Sequence, residues 1–134
     1  MLPAARHAED ALSVAVVRVA IMTMAAVMIT VDCAEPQELA QWWATALGGE
    51  IAQDHGDFVI VRAQPLALGF QRVAEERRGK NRVHIDFAAA PGTGLAQEVK
   101  RLVGLGASVV GEHSVPGLTW TVLQDPAGNE FCVH

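Results

Sequence analysis

The sequence contains no tyrosine and few other aromatic residues, with three Trp and four Phe among 134 residues. No run of Lys and Arg forms a basic stripe, since Arg77, Arg78 and Lys80 follow directly after Glu75 and Glu76. With a formal net charge of −5, the chain lacks the phosphate-neutralising surface that a nucleic-acid partner requires. We therefore expect a small-molecule ligand and no nucleic acid.

Cysteine is also scarce, and the two thiols, Cys33 and Cys132, have neither CxxC spacing nor the pattern of a disulfide framework. Structural zinc knuckles and disulfide-stapled secreted folds are thereby excluded. We expect reduced thiols in a cytoplasmic protein.

A long apolar run extends from Ala11 to Val31, with Arg18 as its only charge. This length is enough to cross a bilayer or to serve as the apolar region of a signal peptide. Arg18 lies in the middle of the run, however, and the run continues into the first predicted strand. We predict no membrane partner and interpret residues 1–25 as an N-terminal extension, with Met22, Met24 and Met28 as alternative starts.

Secondary-structure signals occur twice in the same order. The first half predicts a strand near 27–33, then a helix in which Leu39, Trp42 and Trp43 recur at helical spacing, then strands near 50–53, 58–62 and 66–73. The second half predicts a strand over RVHIDFA, an amphipathic helix from Leu95, and strands near 108–111, 118–123 and 130–134.

The halves also match in letters, because LGGEI (47–51) aligns with LGASV (105–109) and TVD (30–32) with HID (84–86). A tandem βαβββ unit implies duplication of a half-domain. Each half is too small to close a core alone, so we predict one α+β domain over 26–134. Its two modules, about 26–75 and 81–134, are expected to form curled mixed sheets around a shared cleft, with 74–80 as a solvated linker.

One histidine, His84, lies in the apolar strand NRVHIDF, with Asp86 two residues later and therefore on the same face. It could be a metal ligand, an acid–base group or a hydrogen-bonded core residue. A pairing with Asp86 or Glu130 would suit a general base without a metal. Trp120, on a late strand, is a candidate for stacking on a flat ligand, and Phe70 and Phe131 are further candidate apolar contacts.

The motifs VDCAEPQELAQWWATALGGE, GKNRVHIDF and TWTVLQDPAGNEFCV resemble the vicinal oxygen chelate superfamily, which includes glyoxalase I, bleomycin- and fosfomycin-resistance proteins and extradiol dioxygenases. Within it the chain looks most like the glyoxalase-like domain proteins of actinobacteria, over residues 26–134. The resemblance implies a homodimer and metal ligands that come from the first and last strands of each module.

Carried over by position, the resemblance places His84, Gln71 and Cys132 at metal-ligand positions, with Thr30 or Met28 where the first strand usually supplies His or Gln. Glu130 lies two residues before the expected glutamate position. A divalent metal (zinc, nickel or manganese) is the implied cofactor, but no single ion prefers this mixture of donors, so the site reads as degenerate.

Two functions remain open from the sequence. The first is a lyase- or isomerase-type enzyme acting on a small oxygenated substrate, with His84, Asp86 and Glu130 as catalytic residues and Trp120, Phe70, Gln71 and Thr30 as substrate contacts. The alternative is a non-catalytic drug- or metabolite-binding protein of the bleomycin-resistance type.

Overall fold

The computed structural model describes residues 24–134, which form eight strands and two helices. The elements are β1 (Met28–Cys33), α1 (Pro36–Leu47), β2 (Ile51–Asp54), β3 (Phe58–Val61), β4 (Ala67–Arg72), β5 (Asp86–Phe87), α2 (Leu95–Leu105), β6 (Ser108–Val115), β7 (Leu118–Gln124) and β8 (Glu130–Val133).

Two separate four-stranded sheets contain these strands, one for each βαβββ module. Sheet 1 has the order β1-β4-β3-β2 and sheet 2 the order β5-β8-β7-β6. In each sheet the first strand pairs in parallel with the last, and all other pairs are antiparallel. The predicted α+β fold with two tandem βαβββ modules is therefore confirmed.

Helix α1 forms where the apolar spacing predicts it. Pro36 occupies the first turn, and Gly48 ends the helix with a φ of 65°, which a residue with a side chain adopts only at a cost. The inner face of the helix, Leu39, Ala40 and Trp43, packs on the buried side chains of sheet 1, which include Val59, Val61, Leu68 and Phe70.

Module 2 departs from the sequence prediction in two strands. The predicted strand RVHIDFA is paired over Asp86–Phe87 alone, and Ile85, just before it, accepts the backbone N–H of Cys132. His84 therefore precedes the strand that was predicted to contain it. Strand β6 extends beyond the predicted end at 111 to Val115, since a tight turn at Gly117 lets it pair with β7 along its length.

Helix α1 also joins the modules. Trp43 stacks on Phe87 and packs edge-on against Phe131, with ring centroids 5.4 and 4.8 Å away. Its indole N–H donates to Asp125 Oδ2 at 3.0 Å, inside the core. Asp125 in turn accepts from the backbone N–H groups of Ala127 and Asn129 and so shapes the turn before β8. A single core thus spans both modules.

Across residues 24–134, no helix is both long and apolar enough to cross a membrane. The interpretation of residues 1–25 as an extension falls almost wholly on residues 1–23, which lie outside the described part of the chain.

Candidate functional site

Sheet 2 brings together residues that lie far apart in the sequence. Asp86 on β5 is in register with Cys132 on β8, and Cys132 with Val122 on β7. Residues in register across a sheet share a face, and Trp120 lies two positions from Val122 on that same face. We call this surface, made of Asp86, Cys132, Val122, Trp120 and the adjacent His84, the open face of sheet 2.

The polar end of the open face is a compact cluster of three side chains. His84 Nδ1 lies 3.5 Å from Asp86 Oδ1 and 3.8 Å from Cys132 Sγ. One donor atom from each of the three residues lies within 4.8 Å of the other two. His84 and Asp86 are solvent-exposed whereas Cys132 is buried, so a ligand can reach the imidazole and the carboxylate directly.

The thiol of Cys132 is held in its protonated form. Burial raises its pKa above the ordinary value of 9.0, and the neighbouring Asp86 carboxylate raises it further through a hydrogen bond and its charge. A reactive cysteine needs the opposite environment, with a cation or a helix N-terminus beside it. Cys132 is therefore not a nucleophile in this state.

Glu130 does not join the cluster, although it was predicted as a catalytic partner of His84. Its side chain is 13% exposed and lies 3.8 Å from Lys80 Nζ. Its backbone N–H donates to Asn81 Oδ1 at 3.1 Å, which fixes the start of β8 to the linker between modules. The Glu130 carboxylate therefore lies beside the cluster and is paired with Lys80 rather than with His84.

The apolar end of the open face begins at Trp120. Its ring stacks on the imidazole of His113 across the β6–β7 hairpin, with centroids 5.4 Å apart and planes at 24°. Leu118 and Val115 continue the surface and are 47% and 50% exposed. Trp120 is partly exposed at this surface, and its role as a ligand contact stays a prediction.

The other predicted site residues lie on sheet 1. Thr30 is exposed and in register with Gly69 on β4. Gln71 is in register with Asp32 on β1, so Gln71 and Thr30 lie on the same face of sheet 1. The Gln71 amide lies 3.4 Å from the backbone carbonyls of Asp57 and Arg72, both in its own module. Phe70 points the opposite way and is fully buried against α1. A molecule beside Gln71 therefore cannot touch Phe70, because successive strand residues face opposite sides.

The donor set at His84 differs from the predicted set of His84, Gln71 and Cys132. The structure groups Asp86, rather than Gln71, with the other two. Around one tetrahedral zinc ion, ligand atoms are roughly 3.3–3.7 Å apart. The separations of 3.5 and 3.8 Å from His84 Nδ1 are close to this spacing, and imidazole, thiolate and carboxylate are all zinc ligands. The three residues present fit a zinc ion with one position left for a ligand.

Sequence reasoning missed two structural residues of this region. Asp125 was part of a predicted turn, DPAGN, but nothing in the sequence linked it to Trp43. Asn81 was the first residue of a predicted strand. In the structure its side chain accepts a hydrogen bond from the backbone N–H of Glu130 and donates one to Asn129 Oδ1 at 3.2 Å, in the turn that Asp125 shapes. An Asx residue at the start of a turn is the one signal that could have indicated Asp125.

Comparisons with known proteins agree with this architecture. The profile of the glyoxalase-like domain family matches residues 28–134. A glyoxalase/bleomycin resistance protein/dioxygenase family enzyme from Burkholderia phytofirmans PsJN is similar with a TM-score of 0.70 and 13% identity, over 79% of this chain and 94% of that one. No protein of curated function matches the chain.

Two further solved structures share the fold. The fosfomycin resistance protein FosX from Listeria monocytogenes, solved with Mn(II), has a TM-score of 0.70 and 14% identity, over 84% of this chain and 90% of that one. A lactoylglutathione lyase from Agrobacterium tumefaciens has a TM-score of 0.62 and 19% identity, over 84% and 93%. At these identities the likeness shows the fold alone.

Proposed function

Because the chain belongs to the glyoxalase-like domain family, we propose that it is a lyase- or isomerase-type enzyme for a small oxygenated molecule, with the substrate on the open face of sheet 2. The observation that carries this proposal is the His84–Asp86–Cys132 cluster at the edge of an apolar surface. The cluster would hold the oxygens of the substrate, and Trp120 and Val122 its carbon skeleton.

Proton transfer at His84 is the chemistry that this arrangement supports. Asp86 faces Nδ1 and would keep the proton on that nitrogen, which leaves Nε2 free to accept a proton. His84 would take a proton from a carbon next to a carbonyl and return it to the neighbouring position. The 3.5 Å separation from Asp86 is loose, as such pairs often are before a substrate binds.

In a metal-bound form the proposed cofactor is a divalent ion, with His84, Asp86 and Cys132 as its ligands. His84 Nδ1 and the Asp86 carboxylate would then bind the ion, so His84 acts as the base only in the metal-free form. Bound there, zinc would act as a Lewis acid that polarises a substrate oxygen. The other side chains would orient the substrate. Trp120 and Val122 would exclude water from one side of it, and Glu130, paired with Lys80, adds negative charge nearby.

Deuterium exchange tests the proposal without knowledge of the natural substrate. Hydroxyacetone, dihydroxyacetone and the hemithioacetal of methylglyoxal and glutathione would be incubated in D₂O, with and without zinc, and followed by proton NMR. We expect exchange or isomerisation of at least one compound, and loss of it in His84→Ala. His55→Ala, an exposed histidine in the other module, is the control and should behave like the unmodified protein.

Elemental analysis of untagged protein tests the metal. Stoichiometric zinc that disappears in His84→Ala and Cys132→Ser supports the three-donor site. Metal that survives both substitutions contradicts it, and so does zinc that fails to bind on titration.

A second candidate function is ligand binding without turnover, as in bleomycin-resistance proteins. The specific observation is the continuous apolar surface from Val122 through Trp120 to the half-exposed Leu118 and Val115. The protonated thiol of Cys132 fits a binding role equally well. In that case His84→Ala would leave ligand affinity intact, whereas Trp120→Ala would weaken it.

A homodimer belongs to the same proposal. In the described residues no strand pairing joins sheet 1 to sheet 2. A second copy could therefore bring Thr30 and Gln71 of its sheet 1 opposite the open face of sheet 2 and complete a shared cleft. Analytical ultracentrifugation checks this, since a purely monomeric protein at millimolar concentration contradicts it. Cytoplasmic localisation and membership of the actinobacterial branch remain predictions from the sequence.

A further inference from the structure

A cavity of about 1210 Å³ lies between the two modules. His84 is part of its lining, whereas Trp120, Leu118 and Val115 of the open face are not. Its apolar wall comes from Ile29 and Val31 of β1, Leu39 and Trp42 of α1, and Ile85 and Phe131 of module 2. The volume is slightly above the range of about 300–1,000 Å³ that is usual for small-molecule sites.

Carboxylates dominate the charged part of the lining. They belong to Asp32, Glu35, Glu38, Glu75, Glu76, Asp125 and Glu130, against the guanidinium groups of Arg77 and Arg82. Asp125 is satisfied by the turn that it caps, Glu130 is paired with Lys80, and Glu35 lies 3.6 Å from Arg72. Among residues 24–134, Asp32, Glu38, Glu75 and Glu76 have no ion pair. The cavity wall thus combines apolar side chains with an excess of negative charge.

Glu38 and Trp42 combine both properties on one helix. They are four residues apart on α1, which places their side chains one above the other on the same helix face, and both line the cavity. Trp42 is half-buried, and its indole N–H donates to the carbonyl of Leu105 at 3.0 Å, which fixes the ring. An indole ring next to an unpaired carboxylate is a recognition pair for an organic ammonium ion.

We propose that this cavity binds an organic cation, an amine or quaternary ammonium compound with an apolar body. The ammonium group lies between the Glu38 carboxylate and the Trp42 ring, and the body lies against Ile29, Val31 and Phe131. Neutral analogues lose the charge interaction, and anions are repelled by the carboxylates. The cavity borders the proposed catalytic cluster, because His84 also lines it, but Glu38 and Trp42 lie on α1 outside that cluster. Ammonium binding does not depend on proton transfer at His84.

Calorimetric titration of the full-length protein with three matched compounds tests the proposal. The compounds are 4-phenylbutylammonium, 4-phenylbutanol and 4-phenylbutyrate, which share a body and differ in charge. At low salt we expect the ammonium compound to bind about fivefold more tightly than the alcohol, and the carboxylate most weakly. Equal affinity for the ammonium compound and the alcohol, or no binding of either, would overturn the proposal.

Substitutions locate the site. Glu38→Gln should weaken ammonium binding about threefold to fivefold and leave the alcohol unchanged. Trp42→Leu should weaken both, with circular dichroism to verify the fold. The matched control is Glu112→Gln, an exposed carboxylate on β6 outside the cavity, which should change neither.

Trp120→Leu separates this site from the proposed catalytic one. Trp120 does not line the cavity, so its loss should leave ammonium binding unchanged. If Trp120→Leu abolishes binding while Glu38→Gln does not, the cation occupies the open face of sheet 2 and the proposed second site is wrong. The ammonium site is assigned by Glu38→Gln and not by His84→Ala, because His84 also lines the cavity.

Discussion

His84 and Cys132 are separated by 48 positions in the sequence, yet their Nδ1 and Sγ atoms lie 3.8 Å apart. Asp86 completes the cluster because it is in register with Cys132 across parallel strands. At the scale of single residues, the sequence identified His84 and Cys132 as candidates for one centre and placed Asp86 on the same face. It did not identify Asp86 as the third donor, since that depends on the register of β5 against β8.

The thiol of Cys132 provides a test of this cluster. Asp86→Asn removes the charge and the hydrogen bond that help raise the pKa of Cys132, so the pKa falls and the thiolate fraction grows. We expect alkylation of Cys132 by iodoacetamide at pH 8.5 to become about threefold faster or more, measured by mass spectrometry of peptides. Asp32→Asn, beside Cys33 in the other module, should leave the rate at Cys132 unchanged.

An unchanged rate in Asp86→Asn would contradict the cluster as described. It would mean that burial alone keeps Cys132 protonated. Acceleration in both variants would instead indicate a general loosening of the fold.

At the scale of elements, two glycines of module 1, Gly49 and Gly69, lie close to other groups and differ in how freely those groups can move. A Cβ at Gly49, between α1 and β2, would lie 2.8 Å from the backbone carbonyl oxygen of Arg62. A Cβ at Gly69 on β4 would instead meet the ring end of Phe58 at 2.8 Å and Met28 Sδ at 3.0 Å. A backbone atom cannot move aside without distorting the strand pair, whereas side-chain ends can rotate.

We therefore predict that Gly49→Ala costs more stability than Gly69→Ala. The expected loss in the free energy of unfolding is about 2 kcal/mol at Gly49 and below about 1 kcal/mol at Gly69. Urea denaturation of the two variants measures this difference. A larger loss at Gly69 would show that Phe58 and Met28 are held more tightly than their partial burial suggests.

Arg101 connects α2 to α1 through a hydrogen bond, and an ion pair within α2 positions its guanidinium group. Arg101 donates to both carboxylate oxygens of Glu98, at 2.6 and 3.1 Å, and to the carbonyl of Ala46 at the end of α1, at 2.7 Å. The Arg101 hydrogen bond lowers the pKa of Glu98 below its ordinary value of 4.5. Glu98 therefore positions the Arg101 guanidinium through an ion pair only while its carboxyl is ionised.

The sign of the resulting pH dependence follows from that lowered pKa. A carboxyl whose pKa falls on folding contributes stability above its unfolded value, and the contribution disappears as the pH falls through its folded value. Glu98→Gln should thus lower the free energy of unfolding by about 0.5–1 kcal/mol above pH 5 and by almost nothing near pH 3. Urea denaturation over this pH range measures it, with the exposed Glu112→Gln as control. A difference that persists at pH 3 would contradict the ionic origin.

At the scale of the whole molecule, the ring cluster of Trp43, Phe87 and Phe131 decides how the two modules are joined. Trp43 belongs to module 1 and the two Phe residues to module 2, and their centroids lie 4.8–5.9 Å apart. Trp43 and Phe131 are 5% and 3% exposed, and they belong to the same core as Val59 and Leu123. The modules therefore share one core and should unfold together.

Phe131→Ala tests this shared core. We expect a loss of about 3–4 kcal/mol in the free energy of unfolding and a single transition that coincides by tryptophan fluorescence and circular dichroism. The matched control is Phe58→Ala on the half-exposed side of sheet 1, which should cost about 1–2 kcal/mol. Two separate transitions in the unmodified protein would contradict a shared core.

Much of the fold could be predicted because it depends on local order. Helical spacing in AEPQELAQWWATALGG and the glycines after it predicted α1 closely, and the turn signals predicted the order of every later strand. The extent of β5 and β6 could not be predicted, because strand length depends on the neighbour that pairs with it. The parity of Phe70 on β4 directs it towards α1, where it also lines the cavity between the modules, and its role as a ligand contact stays a prediction.

The sequence by itself determined the order of elements, the duplication and the residue types available for chemistry, since periodicity, turn residues and side-chain chemistry are local properties. The tertiary structure alone decided which of those residues meet. Register across sheet 2 assembled His84, Asp86 and Cys132 and left Gln71 on sheet 1, and the packing of α1 between the modules created a cavity with Glu38 and Trp42 in its lining. Contacts between residues distant in sequence follow from strand pairing and core packing, which only the folded chain specifies.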